Sequence, residues 1–208
     1  KNMVHALNNI NLKIDDRETV AIIGESGAGK STLLHIMSCI DNFDGEYYLD
    51  NIDINKLSES KKSKLRSSKI GIVLQDFALI DDFTVFENVM TPLYFNKKIK
   101  DKKGSVMRAL KKTGIASLKS KKVSQLSGGQ KQRVAISRAL VTSPEYIFAD
   151  EPTGSLDSKT SEEIVKMLFD LNRNGITIVI VTHNLEIANQ CHHIIEIKDG
   201  NIIKDICS

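Results

Sequence analysis

The run Thr19-Val20-Ala21-Ile22-Ile23 is apolar without alternation and stops at Gly24, the pattern of a strand buried on both faces. Past a glycine-rich stretch, Leu33, Leu34, Met37 and Ile40 recur at helical spacing, which predicts a helix over 30–40. Tyr146 to Ala149 and Ile176 to Val181 read as further strands. The segment between them, 158–172, places Ile164, Leu168 and Leu171 on one helix face and is closed by Gly175 as a C-terminal cap, which makes a βαβ crossover. Ile194-Ile195-Glu196-Ile197 and Ile202-Ile203 flank Asp199-Gly200, a pair suited to a tight hairpin. Strands alternating with helices predict an α/β fold with a mainly parallel sheet. The stretch from about 76 to 123 is strand-poor, lysine-rich and helix-compatible, and reads as an inserted helical lobe between core segments 1–75 and 124–208.

Composition narrows the class. A chain of 208 residues, 41% hydrophobic and 26% charged, is of ordinary globular character and fits one domain. At this size folding buries roughly 70% of the chain's surface, enough for a core without disulfides or a structural metal. Cys39, Cys191 and Cys207 have neither CxxC nor Cys/His ligand spacing and suit a reducing, cytoplasmic setting. His35 and the pair His192-His193 also lack ligand spacing and read as structural. No apolar run approaches the roughly 20 residues that cross a bilayer. The start, Lys1-Asn2-Met3-Val4-His5, has no secretory segment, so any membrane contact is expected through a partner. A net charge of +3 is too mild to argue for a nucleic-acid partner, and none is expected. The pairs Lys61-Lys62, Lys97-Lys98, Lys102-Lys103, Lys111-Lys112 and Lys121-Lys122 read as solvated helical surface, with anionic lipid as the lesser alternative.

The chemistry begins at Gly24-Glu25-Ser26-Gly27-Ala28-Gly29-Lys30-Ser31, a full match to GxxxxGK[ST] set between a strand and a helix. Glycines let successive amides turn inward at a helix start, a nest for the phosphates of ATP. Lys30 is expected on the β and γ phosphates, and Ser31 on Mg2+. Thr32 completes the candidate nucleotide contacts. Asp150 ends the strand from Tyr146 and is positioned for the Mg2+ shell, while Glu151, the next residue, points elsewhere, toward an attacking water. Alone, an Asp-Glu pair before Pro152 would be a solvated loop, and only its coupling to the phosphate loop argues otherwise.

Leu126-Ser127-Gly128-Gly129-Gln130 is required by nothing in phosphate-loop chemistry and resembles the signature of the ABC ATPases. The remaining motifs of that family follow in register: Gln75 after Ile70-Gly71-Ile72-Val73-Leu74, Ser155-Leu156-Asp157 after the carboxylates, and His183 after a strand. The resemblance spans essentially the whole chain. It implies a single ABC ATPase domain, with a parallel core, an inserted helical subdomain and a partial antiparallel β subdomain. It also implies a homodimer formed on ATP binding, each ATP held between one phosphate loop and the partner's Ser127, Gly128, Gly129 and Gln130. Glu151 is then the general base and His183 the γ-phosphate sensor. Gln75 contacts Mg2+ and water, and Asp157 links the two sites.

Asp81-Asp82-Phe83-Thr84-Val85-Phe86-Glu87-Asn88-Val89-Met90-Thr91-Pro92-Leu93 resembles the helical lobe of one ABC branch. Ser38-Cys39-Ile40-Asp41 and a strand over Gly45-Glu46-Tyr47-Tyr48-Leu49-Asp50 agree with it. That branch serves macrolide efflux, lipoprotein release and peptide or bacteriocin export, from the cytoplasmic face of the membrane beneath a permease on a separate chain. A non-transporting ATPase driving a cell-division or cell-wall-regulating complex is the alternative. Arg17 stands where the family usually has glycine. The family's first strand and its adenine-stacking aromatic would precede Lys1, so the natural protein is expected to be longer at this end; a natural sequence beginning at Lys1 would overturn that expectation.

Overall fold

In chain order the strands are β1 Thr19–Ile23, β2 Tyr48–Leu49, β3 Ile52–Asp53, β4 Ile70–Val73, β5 Tyr146–Asp150, β6 Thr177–Val181, β7 His193–Lys198 and β8 Asn201–Cys207. The helices are α1 Lys30–Met37, α2 Glu59–Lys69, α3 Val85–Phe95, α4 Lys102–Lys112, α5 Gly128–Leu140, α6 Ser158–Arg173 and α7 Leu185–Ala188. The structure, a computed structural model, describes residues 6–96 and 98–207. The opening Lys1 to His5, and Lys97 of one lysine pair, lie outside the described residues.

Six strands form one sheet in the order β4-β5-β6-β1-β7-β8. All neighbours run parallel except the final pair, β7 with β8. Every residue of β1 and β6 is buried, because helices cover both faces of a parallel sheet. The alternation along each strand sorts the core in two. Ile147, Ala149, Ile178 and Ile180 face a cluster built with α3, α4, α5 and α6, whereas Phe148, Val179, Val181, Val20 and Ile22 face a cluster with Leu33, Leu34 and Met37 of α1. Thus α1 lies on one face of the sheet and α5 and α6 lie on the other.

The local signals explain the element ends. The α1 helix stops at Met37, short of the expected Ile40, because Cys39 takes a left-handed φ of 57°. Its amide donates to the Ile36 carbonyl, and the Ile40 amide donates to His35, the two bonds of a Schellman motif. The α6 helix ends as expected, with Gly175 at φ 94° donating to the Asn172 carbonyl. The Asp199-Gly200 turn has positive φ at both residues, 48° and 77°, as a type I′ hairpin requires. The strand expected over 45–50 is confined to Tyr48–Leu49. Asp50 and Asn51 turn the chain at once into β3, and the Ile54 amide closes back on the Tyr47 carbonyl. That two-stranded ladder is a separate antiparallel sheet.

Arg17 adopts φ 63° in the turn before β1, so arginine supplies there the conformation glycine gives easily. Its amide donates to Thr177 Oγ1 at 2.8 Å and its carbonyl accepts from Asn172 Nδ2 at 2.7 Å, which holds the turn against β6 and α6. Among the described residues no strand lies between β4 and β5, where the chain runs through α3, α4 and α5, which pack on one another. Pro92 inside α3 cannot donate to the Asn88 carbonyl, and Thr91 Oγ1 donates to it instead at 2.8 Å. Of the lysine pairs, Lys61, Lys98, Lys103, Lys111, Lys112, Lys121 and Lys122 are exposed, as a solvated surface requires. No helix among the described residues is long and apolar enough to cross a membrane.

Leu168 is fully buried on the sheet-facing side of α6. Leu168→Ala is expected to lower the free energy of unfolding by about 2–5 kcal/mol. Urea denaturation followed by circular dichroism measures it, with the exposed Lys159→Ala as a near-neutral control.

Candidate functional site

Ile22 of β1 and Asp150 of β5 both pair with Val181 of the intervening β6, so three strand ends stand in one row. With strands about 4.8 Å apart, the β1 and β5 backbones are about 10 Å from each other at this edge. Gly24 follows Ile22 by two residues, Glu151 follows Asp150, and His183 follows Val181 by two. Val73 pairs with Ala149, which brings Gln75 to the same edge. The expected catalytic and phosphate-binding residues of one chain therefore gather at the carboxyl ends of the parallel strands, where open α/β sheets bind ligands.

The phosphate loop is held from behind. Gly24, Gly27 and Gly29 have φ of 144°, 81° and 104°. A Cβ on Gly24 would run into the carbonyl oxygen of Ile197, and one on Gly29 would stand 2.6 Å from the Ala6 carbonyl oxygen. The Gly200 amide donates to the Ala28 carbonyl at 3.1 Å, and the Asn8 amide to the Gly200 carbonyl at 2.7 Å. The β7–β8 turn and residues 6–8 thus back the loop, while Glu25, Ser26, Gly27 and Ser31 face solvent. Lys30, the first residue of α1, donates from Nζ to the carbonyls of Gly24 and Glu25, both at 2.8 Å. This bends its ammonium over the loop at the helix's positive end. Thr32, half-buried, follows Ser31 in the first turn of α1.

At the neighbouring strand end the two acidic residues part. Asp150 is 9% exposed and closes β5. Glu151 takes a left-handed φ of 43°, anchored by its amide's bond to the Val181 carbonyl at 2.9 Å. Such backbone is strained for a non-glycine residue and persists where surrounding structure over-determines it. The turn sends the Glu151 carboxylate to His183, with Oε1 2.8 Å from Nδ1. The carboxylate side is mostly buried and the imidazole 73% exposed, so the pair sits at the protein's rim. Gln75, also exposed, brings Nε2 beside Gly154 in the turn after Glu151.

The signature begins a helix, with Gly128 and Gly129 as the first residues of α5 and Ser127 as the N-cap. The Gln130 amide donates to Ser127 Oγ, and the Ser127 amide to Gln130 Oε1, a reciprocal capping box. Asp157 is the N-cap of α6, its carboxylate accepting from the Thr160 amide at 3.0 Å and the Thr160 hydroxyl at 2.6 Å. Those two bonds, the hydroxyl's first, hold its carboxyl below the ordinary carboxylate range. A Cβ on Gly129 would collide with the Thr160 methyl, and one on Gly128 would touch Leu156. Thr160 thereby fixes both Asp157 and the signature glycines, a positioning role that the sequence reading missed although Asp-x-x-Thr is itself a capping spacing.

The signature and the phosphate loop are not brought together within the chain, since α5 and α1 pack on opposite faces of the sheet. A cleft of about 730 Å³ flanks Glu151 and His183 on the α6 and α7 side, lined also by Gly154, Thr182, Ser161 and Glu186, and none of residues 24–32 line it.

Phosphate nest, carboxylate-ending strand and capped glycine helix together define a P-loop nucleotide hydrolase of the ATP-binding-cassette class. Residues 7–154 match the family model described as ABC transporter. The chain is 44% identical over 207 residues to the uncharacterized ABC transporter ATP-binding protein YvrO of Bacillus subtilis, covering 99% of this chain and 90% of that protein. It is 44% identical to the macrolide export ATP-binding/permease protein MacB of Mannheimia succiniciproducens over 99% of this chain but 32% of that longer protein. Among solved structures, the ATP-binding cassette MJ0796 in a dimeric post-hydrolysis state bound to ADP and Pi superposes with a TM-score of 0.90 at 43% identity, covering 98% of this chain and 91% of that one. The chain belongs to the ABC transporter family, as an ATP-binding, ATP-hydrolysing subunit.

Because Ser127 is the cap and half of the capping box, Ser127→Ala is expected to destabilise the fold by about 0.5–2 kcal/mol. Thermal unfolding without nucleotide reads this directly, and an unchanged midpoint would contradict the capping role.

Proposed function

We propose that two copies of this chain sandwich two ATP molecules and, by closing and reopening, drive a membrane permease engaged in export. The observation that carries this reading is the placement of the two anion-seeking helix starts on opposite faces of one sheet. A single chain has no means of aiming both at one triphosphate, whereas two chains related head to tail do. The dimeric MJ0796 cassette supports the reading by likeness.

In this proposal Gly24 to Thr32 cradle the phosphates, with Lys30 on the β and γ phosphates. Ser127, Gly128, Gly129 and Gln130 of the second copy cover the γ-phosphate, and Asp157 lies where the copies meet. Glu151 takes the proton from the attacking water, and the hydrogen bond to His183 orients both side chains at the rim. The residues at the sheet edge also suit Mg2+: Asp150 is nearly buried with no cationic partner among the described residues, an arrangement costly for a carboxylate alone. The Ser31 hydroxyl, the Asp150 carboxylate and the Gln75 side-chain oxygen would hold the ion, which supplies charge neutralisation on the phosphates.

Likeness to MacB-type proteins over the whole chain supports a place in macrolide, peptide or lipoprotein export, with the cargo selected by the permease. The chain would then sit peripherally at the cytoplasmic face. The core of 1–75 and 124–208 and the lobe of about 76–123 would be two parts of one domain, the lobe turned toward that partner.

Glu151→Gln is expected to slow phosphate release by about 10²- to 10⁴-fold while ATP binding and ATP-dependent dimers persist. Light scattering and phosphate assays on one preparation test this, and hydrolysis at the native rate would remove Glu151 from the role of base. Lys30→Ala is expected to abolish retention of ATP in equilibrium dialysis. A membrane protein retained by the Glu151→Gln form in ATP would support the transport reading; recovery of ribosomal or DNA-associated proteins alone would overturn it.

A further inference from the structure

At the end of the sheet remote from the phosphate loop, three strands bring together residues far apart in sequence. Glu18 immediately precedes β1, and Val20 of β1 pairs with His193 at the start of β7. His193 in turn pairs with Cys207 at the end of β8. One ligand atom from each of Glu18, His193 and Cys207 lies within 4.8 Å of the others. Five residues of β1 separate Glu18 from Gly24, so this cluster stands roughly 20 Å from the phosphate loop along the strand.

The buried histidine is what sets the cluster apart. His193 is 2% exposed, and its Nε2 lies 2.6 Å from Asp205 Oδ1. A carboxylate accepting there holds a proton on Nε2, and in the neutral ring Nδ1 then carries the lone pair. That Nδ1 is buried without a hydrogen-bond partner, yet it stands 3.2 Å from Glu18 Oε1. In that neutral form two acceptors face each other, and they repel unless a cation lies between or beside them. The separation is close to the edge of a tetrahedron with bonds of about 2.05 Å, roughly 3.3 Å. Cys207 is exposed, which leaves the cluster open to solvent on one side.

We propose that Glu18, His193 and Cys207 form a binding site for a divalent metal of the Zn2+ class, with water as fourth ligand. Imidazole, carboxylate and thiolate together suit Zn2+ and its tetrahedral substitute Co2+, whereas Mg2+ disfavours sulfur. Asp205 is a positioning residue: it holds the ring orientation and tautomer that turn Nδ1 toward the metal, the usual carboxylate–histidine–metal relay. On binding, the Cys207 thiol gives its proton to solvent and its sulfur bonds the metal, so no oxidant or reductant is involved. The metal would clasp the edge strand β8 to β7 and to the entry of β1.

The test is titration of the reduced, nucleotide-free chain with Co2+, watching for thiolate-to-cobalt charge-transfer absorption in the near ultraviolet. The expected result is one bound Co2+ per chain with that band, displaced by Zn2+. Cys207→Ala, a change at an exposed position that leaves Cys39 and Cys191 in place, should abolish the band while ATP hydrolysis is unchanged. Asp205→Asn should keep the band but weaken affinity by about 10- to 100-fold. No thiolate band, or a band that survives Cys207→Ala, would overturn the proposal.

Discussion

The site depends on one constraint, the parallel register of β1, β6 and β5. Because Ile22, Val181 and Asp150 share a row, the loops that leave these strands emerge side by side. Each strand is mostly apolar on the way to that row, β1 and β6 opening on threonine, and the chain turns polar or glycine-rich at the row or within two residues of it. A slip of one residue in either pairing would reverse which side chains face α1 and which face α5 and α6. Burial on both faces therefore locks the register, and the locked register delivers Gly24, Glu151 and His183 to the same edge. The candidate site is thus positioned by hydrophobic packing of the strands beneath it.

The two sheet faces carry unlike machinery. One bears the helix that begins with Lys30; the other bears the helix that begins behind Ser127, together with α6 and its Asp157 cap. Contacts through Leu156, Thr160 and the signature glycines make the latter two helix starts one packed unit. Movement of the signature would therefore carry Asp157 with it, and would reach Glu151 through the short turn 151–157.

Much of this was legible in the chain. The apolar runs gave β1, β5 and β6 almost to the residue, and the Asp199-Gly200 turn was read correctly from a dipeptide. The motifs named the residues that the sheet edge gathers. Helix α1 ended early because a left-handed Cys39, unlike glycine, leaves no compositional signal. The strand at 45–50 shrank because two consecutive positive-φ residues turned the chain immediately. The grouping of Glu18, His193 and Cys207 was invisible to linear spacing, since it is created by strand pairing across 175 and 14 positions. Thr160 was overlooked for a different reason: its importance lies in what its methyl blocks and its hydroxyl donates to, both properties of the folded state.

The close approach of Gly24 to the Ile197 carbonyl has a consequence for heredity. Since any side chain at 24 would strike the backbone of 197, the nucleotide cradle and the terminal hairpin share one template. Insertions or a shift of frame in 197–200 would deform a loop that lies more than 170 residues earlier in the gene product. A chimera that exchanges one segment for a differently shaped one would therefore inherit a misfit at the back wall of the nucleotide loop.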